Sequence, residues 1–98
     1  MITHIALFKL KDGFERNSPS VIEAEKFAKA VGRNVPELLT WRVGWNMVKR
    51  DIAYDFAIIG VVPDLTALEK YQVNEFHQEA IQKWRLISDW VVADLCDD

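Results

Sequence analysis

Cysteine is nearly absent from this 98-residue chain: Cys96 is the only one, so no disulfide can close within it and no Cys-rich zinc site can form. A cytoplasmic protein fits that usage better than a secreted disulfide scaffold. A positive field is lacking too. Twelve lysines and arginines stand against fifteen aspartates and glutamates, a formal charge of −3 with a pI near 5.3. Such a surface gives phosphates nothing to condense on and argues against a nucleic-acid partner. Long apolar runs are missing as well. The opening MITHIALFKLKD has no basic stretch ahead of its apolar residues, and Lys9, Lys11 and Asp12 interrupt it far short of a membrane span, so neither signal peptide nor membrane helix is expected. Also absent are GxGxxG, a Walker A loop, HExxH, CxxC and GxSxG, which removes nucleotide, zinc-peptidase and hydrolase readings. What remains is half hydrophobic and 28% charged, the composition of one folded domain over residues 1–98.

The apolar pattern orders the chain. Ile2 to Leu10 reads as a first strand, closed by the turn residues Lys11-Asp12-Gly13. Ser18 and Pro19 open a helix as N-cap and first helical residue. Val21, Ala24, Phe27, Ala28 and Val31 then recur at helical spacing, and Gly32 is expected to stop it. Leu38 to Val48 alternates, with Leu39, Trp41, Val43, Trp45 and Met47 on one side, and Tyr54 to Val62 is a third strand bounded by Pro63-Asp64. Asp64 caps a short helix carrying Leu65, Leu68 and Tyr71, and a further helical stretch from Asn74 carries Phe76, His77, Ala80, Ile81 and Trp84. Ser88 to Cys96 is the fourth strand. The order β-α-β-β-α-β predicts an α+β, ferredoxin-like fold with one four-stranded antiparallel sheet.

That topology leaves a face to cover. Helices shield one side of the sheet, yet strands one and three carry apolar residues on both, among them Ile5, Leu7, Ala57, Ile59 and Val61. No residues are left over to cover the second side, so a second copy packing sheet to sheet about a twofold axis is expected. Trp41 and Trp45, sharing a strand face, are assigned to that interface between copies; with Trp84 and Trp90 they would otherwise line an apolar pocket.

The chemistry-bearing inventory is short. Of the two histidines, His4 shares its strand face with Ala6 and Phe8, while His77 shares a helical face with Ala80, Ile81 and Trp84. If that strand face lies under the helices, both imidazoles edge one space between helix and sheet, where rings titrating near neutrality suit acid–base work. The plain alternative is that each is a hydrogen-bonded core histidine. Tyr71 joins them only if the helix breaks, because six residues of unbroken helix would set Tyr71 and His77 about 240° apart; Val73-Asn74 is the place for it. Asp94, odd among Val92, Ala93 and Leu95, either pairs with a basic side chain near the sheet's rim or marks the strand's exposed end. A metal would need a third ligand near the histidines, and no carboxylate is tied to them by spacing, so no metal is assigned. Phe8, Ile81 and Trp84 are the expected pocket walls, suited to a small apolar or aromatic ligand.

MITHIALFKL, Gly44-Trp45-Asn46, the run from Tyr54 into Pro63-Asp64-Leu65, and Leu68-Glu69-Lys70-Tyr71 with His77 together resemble the stress-responsive A/B barrel (Dabb) family across nearly the whole chain. The resemblance implies a dimeric α+β barrel with helices outside. Many members have no assigned activity, while some plant relatives are cofactor-free cyclases of polyketide-type substrates that use a strand-one histidine, a helix histidine and a nearby tyrosine. The matching positions are His4, His77 and Tyr71. Where members often read His-Pro-x-His, this chain reads Asn74-Glu75-Phe76-His77. The resemblance thus leaves three expectations open: a small-molecule-binding or stress-related protein with structural histidines, a cyclase-like acid–base enzyme with no cofactor, or a cofactor-independent monooxygenase on the same scaffold.

Overall fold

In the computed structural model, which describes residues 1–97, the elements run β1 (Ile2–Leu10), α1 (Pro19–Asn34), β2 (Thr40–Trp45), β3 (Phe56–Val62), α2 (Leu65–Val73), α3 (Glu75–Ile87) and β4 (Ser88–Cys96). Asp98, the last residue of the expected domain, lies outside the described residues. All pairings are antiparallel and the strand order is β2-β3-β1-β4, the ferredoxin-like arrangement with its second helical segment split in two. Register follows the pleat. Ile2 faces Val62 on one side and Cys96 on the other, while Phe8 faces Phe56 and Trp90.

Alternation sorts the two faces. Ile2, His4, Ala6 and Phe8 of β1 and Phe56, Ile58, Gly60 and Val62 of β3 are buried beneath the helices. Ile5 and Val61 point the other way half-buried, with Leu7, Ile59, Val91 and Leu95 exposed. The core therefore sits between the sheet and the helices. One cluster joins Phe8, Val21, Ala24, Phe56, Trp84 and Ile87; a second joins Ile2, Val31, Val62, Leu68, Tyr71 and Ala80.

Four local readings differ in the structure. Gly32 does not end α1, which continues to Asn34 with Val35 as its cap. A Cβ at Gly32 would lie 2.7 Å from Cδ1 of Trp41, and one at Gly60 would lie 2.8 Å from its Cε3, so both glycines make room for that indole. Trp41 and Trp45 accordingly belong to the helix-covered layer and not to the sheet's outer face. The Trp41 Nε1–H donates to the Ala28 carbonyl at 2.8 Å, and Trp45 packs edge-on against Phe56 with centroids 4.8 Å apart. Strand two is also shorter than its apolar alternation, because pairing with β3 stops at Trp45–Phe56; Met47 and Val48, beyond the ladder, are exposed. Ser18 precedes the first helical residue as expected, but its hydroxyl turns back to accept from the Glu15 N–H at 2.9 Å.

Candidate acid–base site

Strand register brings His4 its partner. His4 on β1 stands opposite Asp94 on β4, and Asp94 Oδ1 lies 2.6 Å from His4 Nδ1. A carboxylate only accepts, so Nδ1 carries the hydrogen and Nε2 is left as the basic nitrogen of the neutral ring. The imidazole is buried and the carboxylate is a third exposed. Of the two readings of Asp94, pairing with a basic side chain holds; spacing alone does not name His4 as the partner, since that depends on which residues two strands set side by side from opposite ends of the chain.

A break between helices places the other two groups. Asn74 is at once the C-cap of α2 and the N-cap of α3, with extended backbone (φ −58°, ψ 132°), and its Oδ1 accepts from the His77 N–H at 3.0 Å. Asparagine is a favoured N-cap because its side-chain oxygen satisfies such an orphan donor. The chain thus turns without the histidine-proline pair, and the rings of Tyr71 and His77 meet with centroids 4.0 Å apart. On its other side Tyr71 lies 5.1 Å from the ring of His4. The three residues singled out from the sequence therefore form one row, with the tyrosine in the middle.

Burial sets their protonation. Desolvation pushes the Tyr71 phenol well above its usual range, and the charge of Asp94 acts in the same direction, so Tyr71 stays protonated and serves as a donor. Its oxygen is buried and meets no hydrogen-bond partner among the described residues. His77 is held below the ordinary imidazole value, first by burial and also by the charge of His4, against the opposing pull of the Gln72 carbonyl. That carbonyl lies 3.4 Å from His77 Nδ1; the Nδ1–H tautomer leaves Nε2 as its basic nitrogen.

These groups border a cavity of ≈ 190 Å³ between helices and sheet. Phe8, Ile81 and Trp84, the expected walls, all line it, and so do Trp41, Trp90 and Asp94. Trp84 is fixed by its Nε1–H, which donates to the Ala24 carbonyl at 3.0 Å. On the β4 side the wall thins, for Val92 is 57% exposed. Among the described residues no group of three or more His, Cys, Asp or Glu side chains is placed to hold a metal ion, and no helix is long and apolar enough to cross a membrane.

Comparison with known proteins agrees with this architecture. An uncharacterised protein of Streptomyces coelicolor is 42% identical over 94 residues, covering 96% of this chain and 97% of that one. A dimeric ferredoxin-like protein of unknown function from Thermobifida fusca superposes with a TM-score of 0.83 at 24% identity, over 96% of this chain and 88% of that one. The hydroxynitrile lyase of Passiflora edulis also superposes with a TM-score of 0.83, at 12% identity, over 99% and 93%. At those identities the two structures speak for the fold. The sequence profile of the stress responsive A/B barrel domain matches residues 2–97, and with that match the chain belongs to the Dabb family.

Proposed function

We propose that this protein is an acid–base catalyst, working with its own side chains on a small carbonyl compound held in the cavity. The observation that carries the reading is the Tyr71 phenol, buried between two imidazoles with no hydrogen-bond partner among the described residues. Buried hydroxyls are nearly always hydrogen-bonded, and a ligand's carbonyl oxygen supplies the missing acceptor. In the enolisation step His77 Nε2 takes a proton from the carbon beside the carbonyl. The C–H electron pair becomes the new C=C bond, the carbonyl π pair moves onto oxygen, and Tyr71 donates a hydrogen bond to the growing negative charge. His4, held in one tautomer by Asp94, is the second acid–base group on the far side of the phenol. A hydroxynitrile lyase on this fold is an instance of the scaffold serving enzyme chemistry, although fold alone does not fix function.

The test is exchange of α-protons of 1-phenylpropan-2-one for deuterium in D₂O, followed by proton NMR. Protein-dependent exchange that disappears in His77→Ala, with the fold intact by circular dichroism, supports the assignment; full exchange in that variant removes it.

A second reading draws on the His4–Asp94 bond, which also ties β4 to β1 at the sheet's edge. In a binding or stress-related protein that bond is structural, and His4→Gln lowers stability without touching turnover. Either reading takes a second copy of the chain to cover the outer sheet face, where Ile5, Leu7, Ile59, Val91 and Leu95 form an apolar surface. Light scattering at micromolar concentration should give twice 11.3 kDa; a clean monomer removes the pairing. A cytoplasmic setting matches the single cysteine.

A further inference from the structure

The size and charge of the cavity narrow what it accepts. An enclosed apolar space of about 150 Å³ holds one benzene molecule. The cavity here, at ≈ 190 Å³ and open on the β4 side where Val92 is exposed, has room between its walls for one ring with a short side chain. Its walls suit a ring. Phe8 lies 4.7 Å from Trp84 and 5.4 Å from Trp90, centroid to centroid, and all three border the space.

The ionisable groups at its wall are His4, Tyr71, His77 and Asp94, and no lysine or arginine is among the lining residues. The His4–Asp94 pair is neutral when the imidazole is protonated and carries one negative charge when it is not. His77 is kept neutral by burial. Near neutral pH the cavity thus offers an anion no net positive charge, and a carboxylate entering it would lose its hydration beside Asp94. Tyr71 Oη, a buried donor at this wall with no acceptor among the described residues, calls for a neutral acceptor oxygen.

We infer, building on the acid–base reading above, that the site takes a neutral ketone or aldehyde carried on a single aromatic ring, its oxygen toward Tyr71 Oη, and discriminates against carboxylates and fused-ring analogues. Size and charge are separable. Phenylacetate matches 1-phenylpropan-2-one in shape and differs in charge, while 1-(naphthalen-2-yl)propan-2-one keeps the charge and adds a ring. In a site with room to spare, the added ring would tighten binding by about tenfold or more from its buried area.

The experiment is a titration of the intact protein with each compound near neutral pH, read from the indole N–H signals in ¹H–¹⁵N NMR. Three of the four tryptophans line the cavity. The expected result is saturable binding of the phenyl ketone, with phenylacetate at least about tenfold weaker and the naphthyl ketone no tighter. No saturation by the phenyl ketone, phenylacetate within tenfold of it, or a tighter naphthyl ketone overturns the inference. Exchange of α-protons is measured on the same samples. If the preferences appear without His77-dependent exchange, the selectivity stands and the acid–base reading falls.

Discussion

The two long edges of the helix–sheet layer are built differently. At the β2 edge, Gly32 and Gly60 admit the Trp41 ring between α1 and β3, and its N–H is tied to the Ala28 carbonyl; that edge is sealed. At the β4 edge, α3 passes directly into the strand at Ile87–Ser88, leaving Val92 exposed and the Asp94 carboxylate partly open to water while it holds His4. The lesson is that the cavity arises from unequal cover. Side chains of the same kind, tryptophan above all, fill the layer where a helix lies along the strand and frame an opening where it does not.

Breaking the wall shared by both regions should have the largest effect. Trp84→Ala removes a ring that is 3% exposed and packs on Phe8 and Phe56, and should cost about 3–5 kcal/mol in urea denaturation. Next comes the sealed edge alone. Gly32→Val puts a branched side chain where even a Cβ meets Trp41 at 2.7 Å, and should lower stability by about 1–3 kcal/mol. The open edge tolerates more. Asp94→Asn removes a carboxylate that is a third exposed and should cost about 1 kcal/mol or less in the same assay, so a loss as large as at Gly32 would mean that the β4 edge is closed too.

Acid sharpens the contrast further. His77 titrates below the ordinary 6.5 in the folded protein, so between its folded value and 6.5 the unfolded chain binds more protons. Stability should therefore be complete above 6.5 and fall as pH drops toward the folded value. His77→Gln should flatten that slope in denaturation measured across pH. The smallest change in stability belongs to Tyr71→Phe, which deletes a hydroxyl with no partner among the described residues and should leave the denaturation midpoint unchanged or slightly raised while α-proton exchange is lost. A clear fall in stability would mean that the phenol has a partner within the fold.

What was legible in the sequence follows the range of the forces involved. The bounds of β1 and β4 could be read directly, because apolar runs end in local turn and cap residues. The helix break at Asn74 was also local, an asparagine offering its side chain to the next turn, and it united Tyr71 with His77. A basic partner is one of the two readings the sequence allows for Asp94, but naming it as His4 depends on the pairing of β1 with β4, which no short spacing encodes. Gly32 reads locally as a stop signal, while its role lies across the layer, against Trp41, where no local pattern reaches. Alternation gave two faces for Trp41 and Trp45 but not which of them the helices would cover.

The two indole N–H bonds have a dynamic consequence. Trp41, from the sheet, and Trp84, from α3, donate to the carbonyls of Ala28 and Ala24, one turn apart on α1. A helix gripped at successive turns from two neighbouring elements can neither slide nor roll without breaking both bonds, so the roof of the cavity behaves as a fixed beam. The second bond holds α3 to α1 as well, so motion that admits and releases a ligand is left to β4. Relaxation-dispersion NMR should accordingly find microsecond-to-millisecond exchange in amides of β4 while those of α1 stay quiet.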